Sequence, residues 1–303
     1  MNVIANAGDG HIQPVFGVGL EKSLVEREVP TLSGYRGMGP VRIGNQAHEH
    51  LQYDAYGNVV LGAAQAFIDR RMTRPAGLTD FERLERVGEQ AFKLYDQPDA
   101  GMWELRSRAR VHTSSSLMCW AACDRLAKVG RHLGLVDRER LWRERADKIH
   151  AEILRRAWSD KRRAFVESFE GEALDASVLL MAEVGFIDPT DPRFIATVDR
   201  VKEVLSDGPF IRRYEAADDF GLPETAFNIC AFWQIDAMAK IGRHDEAREM
   251  FDALLAARNP VGLMSEDTNP HTGEMWGNIP QTYSMVGIIN SAMRLSRPWE
   301  SVI

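Results

Sequence analysis

Residues 225–241 read TAFNICAFWQIDAMAKI. Apolar residues recur there at three- and four-residue intervals, the period of a helix, yet the few polar residues leave no wide wet face. Such a helix is stable in water only where other helices surround it. LMCWAAC, at 117–123 in the middle of a helix predicted over 113–133, has the same character. Each of these inner stretches precedes an amphipathic one. The stretch 138–157 sets Leu141, Trp142, Ile149 and Ile153 against many charges, and 245–257 sets Met250, Phe251, Leu254 and Leu255 on one stripe. Alternating inner and outer helices predict hairpins stacked in two layers or closed into a toroid.

The same spacing predicts further helices over 54–70, 80–95, 175–184, 193–205 and 281–295, with no alternating run of strand length. Thr79 and Glu82 have the spacing of a capping box before the second of these helices. Pro192 suits a first helical turn, where a missing N–H costs nothing. Gly134 and Gly242 lie where a left-handed residue stops a helix. Short links (71–79, 134–137, 185–192, 242–244) alternate with long ones (96–112, 158–174, 206–224, 258–280). If successive helices are antiparallel, every long link gathers at one end, the usual place for a site on a rigid scaffold.

At 303 residues and 45% hydrophobic, the chain can bury a substantial core, and no low-complexity linker divides it. A net charge of −7 and a pI near 5.7 argue against nucleic acid as a partner. The start, MNVIANAGDGH, lacks the basic and apolar segments of a leader, and no run reaches the ~18 apolar residues of a spanning helix. A cytoplasmic location is expected. Cys119, Cys123 and Cys230 read as small buried hydrophobes in a reducing compartment. No phosphate-binding glycine loop or Gly-x-Ser-x-Gly elbow is present. His48-Glu49-His50 reads as a solvated or core-edge segment, since residues two apart on a helix point to different sides. No metal or cofactor is implied.

The remaining chemistry lies in two loop carboxylates, Glu104 in MWELRSR (102–108) and Glu266 in GLMSEDTNPHTGEMWGN (262–278). Acids in the loops of a helical scaffold suggest glycoside cleavage. One protonated carboxyl gives its proton to the leaving oxygen, and a second carboxylate attacks the sugar or activates water. Trp103 beside Glu104 offers an apolar wall and a flat face for a sugar ring.

Several blocks in order extend this reading: GYRGMGPVRIGNQAHEHLQYDAYG (34–57), MWELR (102–106), MCWAACDRLAK (118–128), LDASVLLMAEVGF (174–186), IRRY (211–214), LPETAFNICAFWQIDAMA (222–239) and GLMSEDTNPHTGEMWGNIPQTYSMVGIIN (262–290). In these the chain resembles the C-terminal part of the catalytic domain of glycoside hydrolase family 15, the glucoamylase, glucodextranase and trehalase group. The resemblance implies an all-α, (α/α)6 toroid of helical hairpins, here incomplete with about nine of twelve helices. It assigns Glu104 as general acid and Glu266 as the base that activates water with inversion. Arg213 would hold the terminal glucose, and Trp103, Arg106, Tyr214, Arg42, Gln281 and Tyr283 complete the candidate substrate-binding set.

The expected activity is inverting release of terminal α-linked glucose from an α-glucoside, a malto- or isomalto-oligosaccharide or trehalose. The alternative is an inactive family member serving as a carbohydrate-binding or interaction module. Residues 1–303 are expected to form one N-terminally truncated domain whose first 50 residues are extended and loop-rich. The family's first three helices, and a Trp-Pro-Arg-Asp segment that grips glucose hydroxyls, find no match in this sequence. Apolar faces of the inner helices would then be exposed and invite a homo-oligomer or a covering segment.

Overall fold

The computed structural model describes residues 12–69, 71, 74–218 and 221–296. The chain divides between Glu152 and Ile153 into two compact units.

In the first unit, a loop-rich segment leads to four helices. β1 (Arg27–Glu28) pairs antiparallel with β2 (Arg42–Ile43), and a 3-10 turn over Gln46–Glu49 follows. The helices are α1 (Asp54–Ile68), α2 (Leu78–Leu94), α3 (Thr113–His132) and α4 (Val136–Arg156), the last continuing four residues past the division. α3 is buried at every position from Thr113 to Asp124, as its unbroken apolar run requires. α1 packs closely on it: a Cβ on Gly57 would lie 2.1 Å from the Met118 carbonyl oxygen, so only glycine allows this approach. Trp142 of α4 is fully buried and donates from Nε1 to Glu85 Oε1 of α2 at 2.8 Å.

Two local expectations change here. α2 begins at Leu78, before Thr79, and the carboxylate that reaches back is Asp80, which accepts from the Gly77 N–H at 3.1 Å. Arg74 holds Asp80 in that position at 2.9 Å, which leaves Thr79 and Glu82 without the capping role. Leu141, expected on the buried stripe of α4, is exposed, because one residue's turn of the helix carries it away from Trp142.

The second unit alternates short hairpins with helices. β3 (Trp158–Ser159) and β4 (Ala164–Phe165) pair, then a 3-10 turn (Ala176–Leu179) runs into a single α-turn, α5 (Leu180–Glu183). The predicted helix over 175–184 is therefore half 3-10. α6 (Pro192–Leu205) starts with Pro192 at its first turn and Asp191 as cap, accepting from the Arg193 N–H at 2.8 Å. β5 (Ser206–Asp207) pairs with β6 (Phe210–Ile211).

β7 (Ala226–Phe227) replaces the first turn predicted for 225–241, so α7 spans Asn228–Lys240. α8 (His244–Ala256) buries Ala247, Met250, Phe251 and Leu254, while Leu255 is only half-buried. β8 (Asp267–Thr268) and β9 (Met275–Trp276) complete a three-stranded antiparallel sheet of order β7-β8-β9, and α9 (Thr282–Leu295) closes the unit. β7 forms because its backbone pairs with β8 from the long loop, an interaction at a distance that local spacing does not encode.

Gly134 and Gly242 do terminate helices in the left-handed region, at φ +73° and +87°. The three cysteines are buried and free, and burial pushes the Cys123 thiol up to about 12. Of the inner helices, α3 and α7 are covered rather than exposed; the exposed apolar stripe is Tyr283, Val286, Ile289 and Met293 on α9. Among the described residues, no helix is long and apolar enough to cross a membrane.

Candidate active site

Glu104 sits in the loop between α2 and α3. The loop's neck is a backbone bridge in which the Asp99 N–H donates to the Arg110 carbonyl at 2.9 Å and the Arg110 N–H returns the bond at 3.1 Å. Ala100 N–H donates to the Leu51 carbonyl at 2.9 Å. Within the loop, Glu104 N–H bonds Gly101 and Leu105 N–H bonds Ala100, each at 3.1 Å, in a tight turn that places Glu104 at φ +58°. A non-glycine residue in that region is strained, and such strain clusters at functional positions. Leu105 is buried, Trp103 half-buried and Glu104 exposed, and among the described residues no hydrogen bond reaches the Glu104 carboxylate. An open hollow of about 380 Å³ lies beside the loop, lined by His50, Leu51, Asp99, Leu105, Arg106 and Arg108 among others.

Arg106, two residues on, donates to Gln46 Oε1 at 2.8 Å and to Glu26 Oε2 at 3.3 Å. Arg42 reaches the other oxygen of Glu26 at 3.1 Å. The two arginines named from the sequence thus meet through Glu26. His48 Nδ1 lies 2.8 Å from the Asn45 carbonyl and is engaged locally.

Beneath the loop lie polar residues to which the sequence reading gave no role. Asp99 Oδ2 accepts from the Tyr53 N–H and from the Ser115 hydroxyl, both at 2.7 Å, and Asp54 Oδ2 accepts from Asn58 at 3.1 Å. Burial, then the neighbouring Asp99 and Glu104 charges, push the Asp54 carboxyl up to about 7. Burial pushes Asp99 up to about 6 against the bonds that it accepts. His112 is also buried, and burial together with Arg110 and Arg108 holds its imidazole down at about 4.

In the second unit, Glu266 immediately precedes β8. Its backbone N–H donates to the Asn278 carbonyl at 2.8 Å, and its carbonyl accepts from the Asn228 N–H at 3.0 Å. Its Oε2 accepts from the Asn278 backbone N–H at 3.2 Å and from Asn278 Nδ2 at 3.1 Å. Gly277 permits this approach: a Cβ there would lie 2.8 Å from the Glu266 Cβ. Asn228 and Ser284 both donate to the Ser265 carbonyl, at 2.9 and 2.8 Å, which ties the strand to α7 and α9.

Arg213 lies against this strand. Its Nη2 is 3.7 Å from Glu266 Oε1 and donates to the Asp267 oxygens at 3.1 and 3.0 Å, while its guanidinium stacks 4.6 Å from the centre of the Phe227 ring. Burial, with Glu266 beside it, pushes Asp267 up, and Arg213 opposes that rise. Tyr214 is 4% exposed, and its hydroxyl donates to Asp218 at 2.6 Å. Gln281 caps α9, its N–H bonded to the Met264 carbonyl at 3.1 Å. Tyr283 is exposed on the first turn of α9.

Arg213 and Glu266 are therefore brought together, and Arg42 joins Arg106 near Glu104. Asp267 and Asn278 were missed, although Asp267 is the next residue after Glu266. Asp54 and Asp99 were missed as well; acids amid the apolar residues at a helix entry and a loop neck were the only available signal.

A trehalase of Mycobacterium tuberculosis is 37% identical over 300 residues, covering 98% of this chain and 44% of that protein. A trehalase of Thermoplasma volcanium is 31% identical over 95% of this chain and 46% of its own length. The chain thus spans less than half the length of these relatives. Among solved structures, a wild-type glycosidase superposes with a TM-score of 0.66 at 17% identity, over 86% of this chain and 72% of that one. A bacterial glucoamylase complexed with acarbose superposes with a TM-score of 0.65 at 12% identity, over 81% and 41%. These likenesses establish the all-α, glucoamylase-like (α/α)6 fold class. The sequence profile of glycosyl hydrolases family 15 matches residues 4–293, and this chain belongs to that family.

Proposed function

We propose that the protein hydrolyses an α-glucoside, with trehalose the first substrate to test, by inversion. Glu104 acts as general acid and Glu266 as general base. The observation that carries this reading is the Glu266 cluster: a carboxylate oriented by two donors from Asn278, with a guanidinium 3.7 Å from its other oxygen. That arrangement suits a group that must face water in a fixed direction. Glu104 is an exposed carboxyl on which no donor sits among the described residues, suited to present a proton to a leaving oxygen.

In the reaction, Glu266 takes a proton from water as the water oxygen attacks the anomeric carbon. The glycosidic C–O bond breaks, and the Glu104 proton passes to the departing oxygen. Inversion requires room for that water, with carboxyl groups ~6.5–9.5 Å apart. Arg213 and Tyr214 supply contacts for the terminal glucose, and Trp103, Arg42, Arg106, Gln281 and Tyr283 are further candidates. The single-domain reading, with an extended N-terminal segment up to residue 50 of which residues 1–11 lie outside the described residues, is part of this proposal. The α9 stripe is the surface that a covering segment or a second copy would use.

Glucose release from trehalose, maltose and isomaltose by the full chain, followed by proton NMR before mutarotation, tests the proposal. Inversion of trehalose yields α- and β-glucose in equal amounts at first, whereas retention yields only the α-anomer. Glucose release that Glu104→Gln and Glu266→Gln leave unchanged would sink the assignment, and sugar binding without turnover would favour the binding-module reading.

A further inference from the structure

The Glu104 loop is closed at its neck, and the residue at that neck does more than pair its backbone. Asp99 is 1% exposed. Its backbone bridges to Arg110 across the loop, while its Oδ2 holds two other segments: the Tyr53 N–H at the entry to α1 and the Ser115 hydroxyl in the first turn of α3. Two segments distant in sequence thus converge on the Asp99 carboxylate, and Glu104 follows five residues later in a strained turn. Asp54, the first residue of α1, is 7% exposed and sits next to the Tyr53 anchor. Among the described residues, neither Asp54 Oδ1 nor Asp99 Oδ1, both buried, has a hydrogen-bond partner.

We propose that Asp99 is the positioning residue of Glu104, pinning the neck of its loop to the α1 entry and to α3, with Asp54 as the buried carboxyl that couples the two acids. The proposal rests on the reading of Glu104 as the general acid.

The electrostatics fit this placement. The titratable groups that bear on Asp54 are Asp99, Glu104 and the Cys119 thiol, all acids; Tyr53 lies on the Asp99 side, and the cations Arg108 and Arg110 face His112. With Asp54 titrating near 7 and Asp99 near 6, the pair gains its second negative charge close to neutrality. Two buried like charges at the neck repel each other, which loosens the mounting of Glu104 as pH rises. A positioned acid loses rate steeply with small displacements. The kinetic signature of Asp99 is therefore in kcat and its basic limb, not in substrate affinity.

Two measurements on the full chain decide the matter. In the first, the Asp54 carboxyl is titrated by 13C NMR in the wild type, Asp99→Asn and Glu104→Gln. We expect the midpoint to fall by at least half a unit in each variant, because each removes a neighbouring negative charge. An Asp54 midpoint that ignores Glu104→Gln overturns the coupling whether or not the chain turns over substrate.

In the second, Asp99→Ala is expected to lose at least ten-fold in kcat with KM within three-fold. Asp99→Asn keeps an acceptor for Tyr53 and Ser115, so it recovers part of that loss and moves the basic limb of the kcat profile. Wild-type kcat in Asp99→Ala overturns the proposal. So does a parallel loss of kcat, KM and folded signal by circular dichroism that Asp99→Asn does not relieve, since that marks a purely structural role. Should Glu104→Gln leave glucose release untouched, the catalytic reading of Glu104 fails by itself, and the Asp54 titration still reports on the neck.

Discussion

The two glutamates are mounted in opposite ways. Glu104 rides a loop pinned at its neck, with its backbone at φ +58° and with buried acids beneath it. Glu266 leads into a strand of a three-stranded sheet, with donors on one oxygen and a guanidinium near the other. A proton donor suits a site beside buried acids, and a water-activating carboxylate suits one whose direction is fixed by donors. The two jobs of the proposed reaction thus match the surroundings that each loop supplies.

Removing either carboxylate tests that match most severely. Glu104→Gln and Glu266→Gln should each lower kcat on trehalose by about 10²–10⁴, the usual contribution of a general acid or base. An α-glucoside whose leaving group needs no proton should restore Glu104→Gln and leave Glu266→Gln inactive. Equal recovery in both variants would erase the distinction between the two loops.

Arg213 is the next lever. It is the cation nearest Glu266 and the partner of Asp267, whose side chain is only 16% exposed. Arg213→Ala should lower kcat/KM by about 10–100-fold, within the range for losing a positioned charged donor. It should also cost about 2–3 kcal/mol, less than a fully buried pair because Arg213 is partly exposed. Adding Asp267→Asn should return most of the stability, measured by urea denaturation, and none of the activity. A double variant as unstable as the single one would show that Asp267 is not the group left unpaired.

These expectations also mark how far the sequence alone reaches. The inner helices were legible because TAFNICAFWQIDAMAKI and LMCWAAC have no wet face, and both regions are indeed buried. Glu266 was singled out as a loop carboxylate, but Arg213 was legible only through family blocks; spacing could not show that a loop at 206–224 meets another at 258–280. β7 was read as the first turn of α7, because its pairing partner Asp267 lies 40 residues away. The cap of α2 was misplaced by two residues because Thr79-x-x-Glu82 satisfies the motif, whereas the cap is Gly77 and Arg74 selects Asp80 from outside that motif. Asp54 and Asp99 look like ordinary surface acids in sequence, and only the packing of α1 on α3 shows that both are buried.

The sheet that mounts Glu266 can be probed with a matched pair of glycines. Gly277 and Gly273 have nearly the same backbone, φ +75° and +71°, so alanine at either pays a similar strain of ~1–2 kcal/mol. A Cβ at Gly273 meets nothing within 4 Å, but one at Gly277 lies 2.8 Å from the Glu266 Cβ and 2.9 Å from its Oε2. Both variants should lower the melting temperature by similar amounts, while only Gly277→Ala should also lose about ten-fold in kcat by displacing the base. Equal activities would mean that Glu266 tolerates a shift, and its mounting would then be no stiffer than that of Glu104.

The smallest effect is the pH dependence of stability that the mounting of Glu104 contributes. In the unfolded chain aspartates titrate near ~3.9 and histidine near ~6.5. Folding raises Asp54 to about 7 and Asp99 to about 6, so between roughly pH 4 and those values the folded chain holds more protons on them. Their contribution to stability therefore falls as pH rises through that window. His112 works the other way: its folded value of about 4 means that the unfolded chain holds the extra proton up to about pH 6.5, so this contribution rises with pH. Two descending slopes against one ascending slope leave a shallow net fall from pH 4.5 to 7.5, on the order of 1–3 kcal/mol once the coupling of the acids is allowed for. Asp54→Asn should flatten the profile measured by urea denaturation, and His112→Gln should steepen the fall. If Asp54→Asn leaves the wild-type slope unchanged, Asp54 is not the buried proton reservoir beneath the loop, and the contrast in electrostatics between the two glutamates reduces to one of backbone geometry.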